Sequence, residues 1–158
     1  MSYVKNNLIK DEEIISRAKI HWIVYVKGVM LMVLAVLIQF FDIKSIIQTP
    51  IVIDAVNYLS LGILVFGVFT CLGAYIYVKT TEFVITNKRV IAKIGIVKRT
   101  TVELNHAQVE SLGVEQGIFD RMLGFGTISI TGTGGAKTFI PNIKNPLDFR
   151  RTFFTASA

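Results

Sequence analysis

The chain has 158 residues, a formal net charge of +6, 52% hydrophobic residues, only 18% charged residues and a mean hydropathy of +0.56. Those values suit a small integral membrane protein with a modest water-soluble part better than an ordinary globular domain. One cysteine (Cys71) and two histidines (His21, His106) exclude an intrachain disulfide and a zinc or iron–sulfur ligand set, so no metal or cofactor is expected.

Residues 1–22 form a polar arm. It does not read as a secretory signal peptide, because the apolar run behind it starts too late, is too long and has no small-residue cleavage site. From Ile14 the arm alternates: Ile14, Ser16, Ala18, Ile20 and Trp22 against Ile15, Arg17, Lys19 and His21. Alternation predicts a strand with one charged face. A helix opened by Asp11-Glu12-Glu13 is the competing reading.

Residues 23–41 are the first transmembrane candidate. Their one charge, Lys27, lies about a turn from the start, where its stem can reach the headgroups. Trp22 and Tyr25 mark the same interface. Residues 42–54 are a connection with Pro50, Asp42, Lys44 and Asp54, and their isoleucines predict that it lies on the external membrane surface. Residues 55–78 carry no formal charge and are the second candidate, since about 20 apolar helical residues span a hydrocarbon core. Gly62, Gly67 and Gly73 allow close helix approach, and Gly67 with Cys71 forms a small-xxx-small pair. Lysine and arginine are dense in the arm and after the second helix, while the connection holds only Lys44. The positive-inside rule therefore predicts both termini in the cytoplasm.

Residues 79–158 carry 11 Lys/Arg against 6 Asp/Glu and read as short strands with turn signals. The predicted strands are 83–86, 89–94, 97–104, 108–116, 127–133 and 137–140, the last ended by Pro141. Residues 117–124 predict a single helical turn closed by Gly124. A final helix over 147–154 has Asn145 as N-cap and Pro146 at its first position, with Leu147, Phe149 or Arg150, Phe153 and Phe154 as its apolar face. Together these elements predict a small, strongly bent sheet capped by a helix.

The stretch 80–151 resembles the bacterial PH-like domain family of small membrane proteins. The residues that carry the likeness are Thr86-Asn87-Lys88-Arg89-Val90-Ile91, Gly95 with Arg99, Val109-Glu110-Ser111, Gln116, Arg121 with Leu123-Gly124-Phe125-Gly126-Thr127, Gly132-Thr133-Gly134-Gly135, and Asn145-Pro146 with Phe149-Arg150. The resemblance implies a membrane α-helical hairpin joined to a mainly-β, PH-like α+β domain. That domain would be a bent barrel of seven strands with a C-terminal helix plugging one end. Six strands follow the hairpin, so the arm 14–20 is the natural seventh. A hairpin inserted behind it returns the chain to the side it left, and this favours the strand reading of the arm.

Motifs that suggest catalysis fall short. Gly132–Thr138 lacks the glycine before Lys137 and the following helix of a phosphate loop, and Gly124-Phe125-Gly126 lacks the third glycine of a dinucleotide fingerprint. Glu103, Glu110, Glu115 and His106 have no partner readable from spacing, so no enzyme is expected. The candidate lipid- or partner-binding group is Lys79, Lys88, Arg89, Lys93, Lys98 and Arg99. Each cation near an anionic leaflet contributes ~1 kcal/mol. The expected function is a membrane-anchored interaction module at the inner leaflet, binding anionic lipid, itself or other membrane proteins, and not nucleic acid. The alternative is an accessory subunit of a transport or envelope-stress system, acting through the hairpin and Lys27.

Overall fold

A computed structural model of the protein describes residues 3–40, 49–95 and 100–157. The chain divides into two units, one made of Met1–His21 and Tyr77–Ala158, the other of Trp22–Ile76.

Among the described residues the first unit holds seven strands in two antiparallel sheets. β1 (Ile14–Arg17), β2 (Glu82–Thr86), β3 (Arg89–Ile94) and β4 (Thr100–Asn105) pair in chain order, as do β5 (Val109–Glu115), β6 (Phe125–Gly132) and β7 (Lys137–Lys144). The expected single closed barrel is therefore not formed; there are two sheets of four and three strands. The arm joins them at one corner. Ile14–Arg17 pairs with β2, and the next residues turn to β7 through Lys144 N–H to the Lys19 carbonyl (2.8 Å), an Ile20–Ile143 bridge and His21 N–H to the Asn142 carbonyl (2.6 Å). The arm is a strand, as its alternation predicts, and Arg17 and Lys19 are exposed. The alternation stops at His21, which is 4% exposed, while Trp22 turns outward.

Two-sided burial explains the near-continuous apolar run of β2. Phe83 and Ile85 face the main core with Val90, Ala92, Leu112, Ile128, Ile130, Ile140 and Ile143. Val84 and Ile91 face the other way, under Val4 of the short helix α1 (Tyr3–Asn6). Helix α5 (Pro146–Ala156) closes the main core with Phe149 and Phe153. Leu147 and Phe154, expected on its apolar face, point to solvent instead. Asn145 caps α5 by position only. It adopts a left-handed conformation (φ 48°) and makes no side-chain capping bond.

Strand β7 does not stop at Pro141. The ladder with β6 shifts register between Gly126 and Ile128, and Asn142 on the bulged side has φ 60°. Proline has no N–H to donate, so an edge strand and a bulge are where it is tolerated. The predicted strand over 97–104 begins at Thr100 among the described residues. A six-residue helix, α4 (Ile118–Leu123), follows β5 and ends at Gly124, whose φ of 74° suits glycine.

The second unit is a pair of apolar helices. A 3-10 turn at Trp22–Tyr25 leads into α2 (Val26–Phe40), and α3 runs Pro50–Thr80 with proline in its first turn. Residues 50–54, expected in a surface loop, thus belong to α3, with Thr49 directly before it; 42–48 of that loop lie outside the described residues. By length and composition both helices can cross a membrane, and only 11% of the most apolar window of each is buried within the protein. They approach to backbone contact at Gly28 and Gly67. A Cβ on Gly28 would collide with Cys71 Sγ, and one on Gly67 would meet Met32 Cγ at 2.8 Å. Gly62 and Gly73 face open space, so of the three glycines expected to allow close approach only Gly67 is used in this contact.

Candidate functional site

Four of the six cations singled out from the sequence fall among the described residues, and they separate to opposite ends of the strand unit. Lys79 lies in the last turn of α3, just before β2, and Lys93 pairs in register with Glu82 at the start of β2. Lys93 Nζ also sits 5.0 Å over the Tyr3 ring. Lys88 and Arg89 are at the far turn, a strand length of roughly 15 Å away. Lys98 and Arg99 lie outside the described residues.

At the far turn the charge of Arg89 is consumed internally, while Lys88 stays exposed. Glu12 has a fully buried carboxylate that accepts from Arg89 Nε (2.9 Å) and Nη2 (3.0 Å), the Thr86 hydroxyl (2.8 Å) and the Ile9 N–H (2.8 Å). Arg89 Nη1 reaches Glu103, and Lys88 Nζ donates to the Lys10 carbonyl at 2.7 Å. Burial would push the Glu12 carboxyl up. The Arg89 guanidinium and the Ile9 and Thr86 donors outweigh it and hold the pKa at about 2. Arg89, expected among the lipid- or partner-binding cations, therefore serves the fold. Glu103 is likewise an ion-pair partner. His106 lies 2.9 Å by Nε2 from the Thr86 carbonyl, with its ring against Phe153.

At the opposite end three other cations converge. Arg17 and Lys19 project from one face of the arm because residues two apart in an extended chain share a face. Lys144, the last residue of β7, is brought beside them by the Lys144–Lys19 backbone bond. Together with Asn145, Asp148 and Thr152 they line an open cleft of about 320 Å³ between the arm and α5. Three cations against one carboxylate make it an anion-attracting recess. His21, next along the arm, stacks on Phe125 with ring centres 5.0 Å apart. Its pKa is lowered, first by burial and then by the positive charge of Lys144. In the sequence Arg17 and Lys19 show only as a charged face, and Lys144 is unmarked. The alternation is the signal that finds the first two; nothing local points to the third.

Among the described residues no group of three or more His, Cys, Asp or Glu is placed to hold a metal. Two packed sheets closed by a C-terminal helix define a PH-like class of protein. The bacterial PH domain family matches residues 23–153, well over half of the chain, and the protein belongs to that family. The match takes in both apolar helices and everything from β2 into α5, while β1 lies before it. No curated protein and no solved structure matches the chain. PH-like domains are generally non-catalytic interaction modules, and no enzymatic family is indicated.

Proposed function

We propose that the protein is a membrane-anchored PH-like module of the cytoplasmic membrane, with both termini in the cytoplasm, whose basic cleft engages the phosphate of anionic lipid. The observation that carries this reading is the point of insertion. The apolar helices are spliced between β1 and β2, two strands that pair with each other, and Lys19 precedes the first apolar residues by only three positions. A bilayer holding those helices keeps the cleft within reach of headgroups. The exposure of the helices supports the anchor, because a core helix of a soluble protein is mostly buried whereas these present Phe40, Ile51, Tyr58 and Phe66 outward. Lys79 and Lys93, at the same end, add to the positive field; Lys88 and Arg89 do not take part.

The test uses the full chain reconstituted in phosphatidylcholine vesicles with and without phosphatidylglycerol. Spin-labelled phosphatidylglycerol associates with the protein in preference to spin-labelled phosphatidylcholine. The combined change Arg17→Gln, Lys19→Gln and Lys144→Gln lowers that preference, by up to roughly a hundredfold if each cation contributes ~1 kcal/mol. Lys88→Gln leaves it unchanged. An unaltered preference in the triple variant refutes the cleft as the lipid site, and extraction of the protein by alkaline carbonate refutes the anchor.

A further inference from the structure

Helix α4 exposes four large apolar side chains: Ile118 (81%), Phe119 (77%), Met122 (78%) and Leu123 (45%). Their spacing of one, four and five residues places them within one arc of the helix surface, leaving Asp120 and Arg121 on the remainder. The helix is nevertheless firmly built. Asp120 Oδ2 accepts the Gly117 N–H at 3.0 Å, Gln116 donates to the Phe125 carbonyl, and the Gly124 carbonyl accepts the Asn145 N–H at 2.8 Å. A rigid turn that displays its apolar residues is the reverse of what burial in a core would select.

Its place in the strand unit gives the apolar face an occupant. The chain leaves this unit after His21 and returns to it at Tyr77. His21 stacks on Phe125, two residues beyond α4, and the Tyr77 hydroxyl donates to the Pro141 carbonyl (3.3 Å) on the same end of β7. Both crossing points therefore lie at the end of the β6–β7 ladder where α4 leads into β6. The same helix carries Asp120, which accepts the Gly117 N–H, and the exposed Arg121, while Lys144 precedes Asn145, whose N–H holds the Gly124 carbonyl. An exposed apolar face with a basic residue at its margin matches an anionic lipid interface. A six-residue turn is small beside the about 800 Å² that each partner commonly contributes to a stable protein interface.

We propose that α4 is a wedge that inserts the Ile118, Phe119, Met122 and Leu123 face into the headgroup–acyl boundary of the leaflet from which the apolar helices emerge. This rests on the membrane-anchored reading. The wedge gives the strand unit a third attachment beside the two chain crossings and so fixes its orientation on the bilayer.

The test labels the full chain, in a Cys71→Ser background, with an environment-sensitive fluorophore at one introduced cysteine. The variants are Met122→Cys and Phe119→Cys on α4, Ala136→Cys at the opposite end of β6, and Phe66→Cys in the middle of α3. Vesicles of phosphatidylcholine and phosphatidylglycerol carry nitroxide lipids with shallow or deep labels. The wedge predicts that shallow nitroxide quenches both α4 probes by about twofold or more, with a blue-shifted emission, and leaves the Ala136 probe unaffected. The Phe66 probe is quenched by the deep label. Quenching at Phe66 without quenching at either α4 position overturns the wedge and leaves the anchor standing. No quenching at Phe66 overturns the anchor, and the wedge with it. Equal quenching at α4 and Ala136 overturns the placement of α4 at the membrane end. Self-quenching at α4 that grows with protein density, without lipid quenching, assigns the face to a second copy of the chain and likewise overturns the wedge.

Discussion

The two ends of the strand unit use the same kinds of side chain for opposite purposes. At the β2–β3 turn, Arg89 is surrounded by carboxylates and backbone oxygens, so its charge is spent inside the fold. At the end where the chain crosses to the apolar helices, Arg17, Lys19 and Lys144 face an open cleft with only Asp148 among its lining residues to oppose them. The role of a cation here is decided by whether the fold delivers a carboxylate to it. That delivery is a long-range event, since Glu12 and Arg89 are 77 positions apart in the chain.

The largest effect should come from breaking the internal end. Glu12→Ala leaves Arg89 partly buried against Glu103 alone, and loss of one partner of a buried pair costs about 3–5 kcal/mol. Thermal unfolding of the full chain in detergent micelles should show the strand unit melting earlier by on the order of 15 °C. An unchanged melting point would mean that the Glu12–Arg89 pair does not hold the arm to the sheet. Acid should act on the same group. The Glu12 pKa is held at about 2 against an ordinary 4.5. Its contribution, roughly 3 kcal/mol, is fully present above pH 4.5 and is lost as pH falls towards and through 2. Glu12→Gln should flatten that part of the acid-unfolding profile.

A smaller effect is expected in the helix pair. Leucine at position 67 cannot fit where a Cβ already meets Met32 at 2.8 Å and the Gly28 carbonyl at 3.1 Å. Gly67→Leu should separate α2 from α3 at a cost of about 1–3 kcal/mol, whereas Gly62→Leu, with nothing nearby, should be close to neutral. Disulfide crosslinking between cysteines introduced on the two helices reads the separation directly.

How far the sequence shows these features depends on how local their causes are. Strand β3 is legible because the Asn87-Lys88 turn and Gly95 bracket it, and the arm because its alternation is local. The extension of β7 past Pro141 is hidden, because whether a proline ends a strand depends on whether a neighbour needs its missing N–H. The outward turn of Leu147 and Phe154 is hidden for a related reason. Helix α5 buries only Pro146, Phe149 and Phe153, and the sequence cannot say how wide the covered stripe is. The inward pairing of Arg89 and the place of Lys144 in the cleft are hidden because both depend on partners remote in sequence. The apolar residues of α4 are plain in the sequence, but only their exposure makes them unusual.

Beside the cleft, His21 offers a further test, first with the cleft charges in place and then with one removed. His21 is buried and its pKa is lowered, by burial first and by Lys144 second. Unfolding exposes the imidazole, which then takes up a proton below its ordinary value of about 6.5, while the folded state still resists protonation. Across that interval the unfolded state binds more protons, so stability rises with pH and falls on acidification from neutrality. His21→Phe keeps a ring against Phe125 and removes the titration, so on acidification from neutrality the melting temperature of the variant should stay level while that of the native chain falls. Lys144→Gln should bring the His21 pKa part of the way back, leaving the burial contribution, and an imidazole proton titration followed by NMR separates the two causes. A wild-type pH slope that survives in His21→Phe would place the acid sensitivity elsewhere and remove His21 as the titrating link between the cleft and the core.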